Sequence, residues 1–428
     1  MGTEIYQGLV EDLKVSIHGS SIVFPSQQTE RKSMFLSNID KVLNFSVETV
    51  HFFQSNKDFP PQTVAEKLKN ALAKALVPYD FLAGRLKFNP ETGRLEIDCN
   101  AAGGVGFAEA CSEYSLDEIG DLVYPNPAFA QLVSKTLDVF KPGDQPLAIF
   151  QVTSFKCGGF AMGISTNHAT FDGISFKLFL DNLAALAADK PLAINPCNDR
   201  QLLAARSPPR VTFSHPELLK LNIPLGQDSN PGVFEATQED LAFNIFHLTS
   251  ADITNLKEKA KPTSGGRISG FNVVTTHIWR CKALSCDTGK NMERLSTILY
   301  AVNIRPRLKP PLPPSYSGNG VLTAYATASC KELNEGPFAR LVEMVSEGAG
   351  RMTDEYARLG FAEVAYPWGR PRFSCPVVYH RKDIILLFPD INEGCGSNSS
   401  GVNVLVALPS EEMEKFQTLF HKLLASTN

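Results

Sequence analysis

The hydrophobic positions of this chain switch between two periods. From Phe160 to Thr166 the apolar residues fall at every second place, Phe160, Met162 and Ile164, which predicts a half-buried strand. After Gly173 the spacing lengthens, and Phe176, Phe179 or Leu180, Leu183 and Leu186 form the single stripe of an amphipathic helix. Leu147 to Phe155 reads as another strand, joined to the first through Lys156-Cys157-Gly158-Gly159 as an antiparallel hairpin. Upstream, Thr63-Val-Ala-Glu66 has the form of a capping box, opening a helix that carries Val64, Leu68, Leu72 and Leu76 and stops near Pro78. The turn residues Asn89 to Gly93 lead into a strand that alternates Leu95, Ile97 and Cys99 with Arg94, Glu96 and Asp98.

The second half repeats this mixture. Leu241 to Leu248 reads as a strand, with Ser250 capping a helix to about Lys259. Phe271 to Leu284 and Pro337 to about Arg358 read as helices, and Ile298 to Ile304 and Val321 to Ala328 as strands. Short strands around Val377, Ile385 and Val404 precede a last amphipathic helix from Glu411 to Leu424. Between the halves, Pro191, Pro196, Pro208, Pro209, Pro216, Pro224 and Pro231 interrupt regular structure. Two α/β domains follow, 1–187 and 240–428, joined by a long Pro-rich crossover over 188–239.

Composition narrows the function classes. Among 428 residues 43% are hydrophobic and 20% charged, as expected of a globular protein, and the net charge of -4 gives no reason to expect nucleic acid or an anionic membrane as partner. The nine cysteines form no CxxC and no Cys/His cluster at zinc spacing, which predicts neither a metal site nor a disulfide framework. Met1 to Val15 has no basic stretch followed by an apolar one, and no apolar run is long enough to span a bilayer, so a cytoplasmic location is expected. P-loop, dinucleotide-binding, nucleophile-elbow and HExxH signatures are all missing.

One constellation remains, His168-Ala-Thr-Phe-Asp172-Gly173, at the junction between the strand period and the helix period. An imidazole at a strand end is a candidate general base. A core histidine beside a helix cap fits the same residues. Asp172 can cap the helix or orient the loop, and Gly173 permits a sharp turn.

With these residues the chain resembles the BAHD acyl-CoA-dependent acyltransferases of plants. The likeness also rests on Leu36-Ser-Asn-Ile-Asp40, Leu82-Ala-Gly-Arg85, Ile278-Trp-Arg280-Cys, Asn303-Ile-Arg305-Pro-Arg307, Tyr316-Ser-Gly-Asn319 and Trp368-Gly369, in the family's order. It implies two chloramphenicol-acetyltransferase-like domains with a channel between them, and His168 as the base within it. Acyl-CoA would be the cosubstrate, with no metal and no tightly bound cofactor, and the protein would act as a monomer. The acceptor would be the hydroxyl, or less commonly the amine, of a small metabolite, lipid or steroid. Fatty alcohols with hydroxycinnamoyl donors belong to the same expectation. The resemblance gives Asp172 a structural pairing with Arg305 or Arg307, and makes Trp368 either a donor to the oxyanion or an anchor for its loop.

Two departures from the family pattern stand out. Where the family has Asp-Phe-Gly-Trp-Gly, this chain has Ala365-Tyr-Pro-Trp368-Gly369. Ala365 cannot tie the loop to an arginine, and Glu363, two residues upstream, is the candidate substitute. After Arg358 the chain is also shorter than the family pattern. These departures leave a second reading, a non-catalytic relative that serves as an accessory partner, for example in fatty-acid elongation.

Overall fold

The computed structural model describes residues 10–99, 103–120, 122, 126–141, 143–205, 241–261, 268–286, 291–349, 373–376, 385–389 and 401–425. The described residues form two compact units. The first holds those before 206, together with Arg305–Gly320 and the short strand Phe373–Pro376; the second holds the rest. A boundary drawn at 240 by texture puts Arg305–Gly320 in the second half, whereas its contacts are with the first unit.

In the first unit the strands are β1 (Val15–Val23), β2 (Lys32–Phe35), β3 (Ser46–Phe53), β4 (Arg85–Asn89), β5 (Arg94–Cys99), β6 (Val105–Ser112), β7 (Ala148–Ser154) and β8 (Phe160–Asn167). Its helices are α1 (Asn38–Val42), α2 (Pro61–Ala75) and α3 (Gly173–Ala187). A six-stranded sheet runs β1-β6-β7-β8-β3 and ends on Phe373–Pro376; β6 and β7 are parallel and the other pairs antiparallel. The predicted hairpin is β7–β8, with Ala148 opposite Thr166 and Ser154 opposite Phe160. Gly158 turns it at a φ of 79°, a conformation glycine adopts without a Cβ clash. β2, β5 and β4 make a separate three-stranded sheet.

Helices α2 and α3 bury their apolar stripes in one core with the sheet. Val64, Leu68 and Leu72 of α2 and Phe176, Phe179, Leu180 and Leu183 of α3 meet Phe150, Val152, Phe160, Met162 and Ile164 there. On the opposite face, Phe52 packs on Phe129 at 5.0 Å between ring centroids. There Gly163 faces the Leu132 carbonyl with no room for a Cβ. The predicted cap of α2 is displaced. The helix begins at Pro61 with Pro60 as N-cap and no side-chain cap bond, because proline's fixed φ suits the first helical turn.

In the second unit, Ala242–Leu248, Val402–Leu408 and Leu386–Pro389 form a three-stranded antiparallel sheet, and Leu295–Asn303 pairs with Val321–Ser329. Helices span Ser250–Lys259, Gly270–Ser285, Cys330–Glu335, Phe338–Ala349 and Ser410–Ala425. Thr249 caps the first of these, one residue before the Ser250 expected from sequence, because its hydroxyl reaches the Asp252 amide in a reciprocal box. Among the described residues no helix is long and apolar enough to cross a membrane.

Candidate active site

β8 ends at Asn167, and four residues cross to Asp172, the N-cap of α3. The crossing is fastened from within. Asn167 Oδ1 accepts from the Ala169 amide at 2.9 Å, and the Thr170 hydroxyl donates to the Asn167 carbonyl at 2.6 Å. The His168 amide donates to the Phe45 carbonyl at 2.8 Å, and the imidazole meets the Phe45 ring edge-on at 5.3 Å. Phe171 sinks into an aromatic group with Tyr79, Phe81, Phe176 and Phe179, all within about 6 Å. Gly173 is exposed, its φ lies outside the left-handed region, and open space surrounds the place a Cβ would take. The sharp turn that Gly173 would permit is made by residues 168–171 instead.

Asp172 is buried, and its carboxylate is fully engaged. Arg305 donates Nη1 to Oδ2 at 2.8 Å and Nη2 to Oδ1 at 3.0 Å, a bidentate pair. The Ser175 amide donates to Oδ1 at 2.9 Å and the Gly320 amide to Oδ2 at 2.8 Å. Burial alone would raise this carboxyl; the Arg305 guanidinium and the Ser175 and Gly320 amides outweigh it and hold the carboxyl below the usual aspartate range. Arg307, the other arginine named by the sequence, is exposed. Glu363, Trp368 and Gly369 lie outside the described residues.

A second ion pair sits beside the first, with both side chains fully buried. Arg200 Nη1 donates to Asp40 Oδ1 at 3.0 Å, and Arg200 Nη2 donates to the Thr170 carbonyl at 2.7 Å. Asp40 belongs to α1, whose capping box joins it to the Ser37 amide and hydroxyl. Tyr316 lies between the pairs, with the Arg200 and Arg305 guanidiniums 5.9 and 5.7 Å from its ring. Asn319 Nδ2 donates to Asp40 Oδ1 at 2.8 Å and to the His168 carbonyl at 2.9 Å. A Cβ on Gly318 would collide with Arg200, and one on Gly320 would stand 2.8 Å from Arg305 Nη1. A side chain at either position would have to displace a guanidinium that is held in its ion pair.

His168, Asp172 and Arg305 are thus brought together. Sequence reasoning assigned no role to Asp40, Arg200 or Asn319. Asp40 and Asn319 stand in motifs that carried the family resemblance, but their roles depend on contacts 279 residues apart in the chain. Arg200 is one arginine in a Pro-rich stretch and had no local signal. Among the described residues, His168 Nδ1 is buried without a hydrogen-bond partner.

The Transferase family matches residues 13–358 and 352–423. The chain is 59% identical to Acyltransferase GLAUCE of Arabidopsis thaliana over 97% of both proteins. It is 32% identical to the Fatty alcohol:caffeoyl-CoA acyltransferase of Arabidopsis thaliana, over 92% of this chain and 95% of that one. The crystal structure of vinorine synthase superposes with a TM-score of 0.71 at 20% identity, over 95% of this chain and 98% of that one. The chain belongs to the BAHD acyltransferases, and its fold is the chloramphenicol-acetyltransferase-like mixed α/β fold. The family match falls in two segments that overlap at residues 352–358, and the alignment with GLAUCE extends over 448 positions.

Proposed function

We propose that this protein transfers an acyl group from acyl-CoA to a hydroxyl, with His168 as general base. The carrying observation is the Asp172 carboxylate, whose two oxygens are both taken by Arg305 and by amides. It has no free lone pair for a substrate proton, which leaves His168 as the titratable group of the motif that can move one. Nδ1 is buried, and Nε2 is the nitrogen we assign to the substrate. It takes the acceptor's proton as the acceptor oxygen attacks the thioester carbonyl. The tetrahedral intermediate then collapses, the C–S bond breaks, and the imidazolium returns the proton to the departing CoA sulfur. Base assistance of this kind is worth roughly 10²–10⁴ in rate. Trp368 is the proposed donor to the oxyanion, and Glu363 the proposed tie for its loop in place of Ala365.

The relative named for fatty alcohols and caffeoyl-CoA supports a hydroxycinnamoyl-CoA donor and a long-chain primary alcohol acceptor. The test is CoA thiol release from feruloyl-CoA, caffeoyl-CoA and aliphatic acyl-CoAs against fatty alcohols, sterols and an aromatic amine. Wild type should release CoA with one of the alcohols, and His168→Ala should lose at least about 10²-fold in kcat. Equal turnover by both proteins would remove His168 from the mechanism. No release by either, with retained binding to a fatty-acid elongation partner, would favour the accessory reading.

A further inference from the structure

We infer that Asn319 is a positioning residue for His168, backed by the Asp40–Arg200 pair and distinct from the Asp172–Arg305 brace. The inference rests on the proposed role of His168 as base. The His168–Asp172 loop exposes two carbonyls to the network. The His168 carbonyl receives Asn319 Nδ2 at 2.9 Å, and the Thr170 carbonyl receives Arg200 Nη2 at 2.7 Å. Asp40 joins the two donors by accepting from both side chains through Oδ1, and from the Asn319 amide at 3.2 Å. Its other oxygen is held by Ser37, so the carboxylate cannot rotate without breaking the α1 cap. The brace at Asp172 acts four residues further on, at the start of α3, and Phe171 is fixed by aromatic packing. Only the Asn319 amide and the Phe45 carbonyl hold the backbone of His168 itself among the described residues. Asn319 is fully buried, and no ring or charge of its own could reach a substrate. Its contribution would be to aim the imidazole, and a misplacement of about 1 Å in a reacting group can cost on the order of 10² in rate.

The test compares Asn319→Ala with wild type, using the donor and acceptor pair that the release screen identifies. The expected result is a fall in kcat of about 10- to 100-fold per folded molecule, with both KM values within about twofold. Carbethoxylation of His168 by diethyl pyrocarbonate, followed by peptide mass spectrometry, should become severalfold faster as the loop loosens. A lowered melting temperature with wild-type kcat and wild-type modification rate would make Asn319 purely structural and overturn the inference. Where Asn319→Ala is not recovered folded, Asn319→Ser keeps a small polar side chain and the backbone bond to Asp40 but withdraws Nδ2 from the His168 carbonyl, and it is judged by the same readouts. The two readings separate cleanly. An active His168→Ala removes the base and this inference with it, whereas an inactive His168→Ala beside a fully active Asn319→Ala removes only the inference. If no pair supports turnover, the modification rate alone decides.

Discussion

At the scale of single residues, two buried aspartates do work that a catalytic label would obscure. Asp172 and Asp40 each face an arginine in a dry setting, where the ion pair contributes little net stability but leaving one partner alone is costly. Asp172→Ala or Asp40→Ala should therefore destabilise the first unit by about 3–5 kcal/mol in urea titration, well before any kinetic effect is considered. The Asp172 pair also has a pH signature. Its carboxyl is held below the unfolded value of about 3.9, so its stabilisation is present above that value and is lost as pH falls through the lower folded value. The stability difference between wild type and Asp172→Asn should be constant above about pH 5 and shrink below about pH 4.

At the scale of elements, the strand–loop–helix unit was legible because both of its periods are local. β8 and α3 lie where Phe160, Met162 and Ile164 and then Phe176 to Leu186 put them. The capping box at Thr63 was misleading, since Pro61 two residues earlier already supplied a helix-compatible φ. The two glycines on either side of the site make a contrast that sequence cannot supply. Gly163→Ala would push a Cβ into the Leu132 carbonyl and should cost about 1–3 kcal/mol by thermal melting. Gly173→Ala meets open space at the first turn of α3 and should leave the melting temperature unchanged or raise it, by up to about 1 kcal/mol in stability.

At the scale of the whole molecule, each unit carries a histidine that folding keeps neutral. Burial takes His51 in the first unit down to about 3. Burial, helped by the Arg280 and Lys259 charges, does the same to His277 in the second. The unfolded imidazoles bind protons below about 6.5, so folding stability should fall as pH drops from there toward 3. The slope is about 1.4 kcal/mol per pH unit for each histidine. Replacing His51 or His277 with leucine should flatten the urea-midpoint profile between pH 6 and 4, each in its own unit's transition. A profile left as steep as wild type would mean that these imidazoles are protonated in the folded chain.

The sequence by itself determined the run of elements from β7 to α3, the mixed α/β class and the place of His168 and Asp172 on one loop, while β1, β2, β3 and β6 carried no period strong enough to be predicted. Period, turn residues and motif spacing all act over a few residues, and they can be read without knowing what packs where. Tertiary structure alone decided which arginine meets Asp172, since Arg305 and Arg307 stand two residues apart on different faces of a short 3-10 helix and only Arg305 is buried. It also decided that Asp40, Arg200 and Asn319 form a second network under the His168 loop. Those three come from α1, the crossover and the Arg305–Gly320 segment, and nothing local marks them as neighbours. Their association is set by burial, where an unpaired charge or amide is too costly to leave alone and each polar group must find its partner from a distant part of the chain.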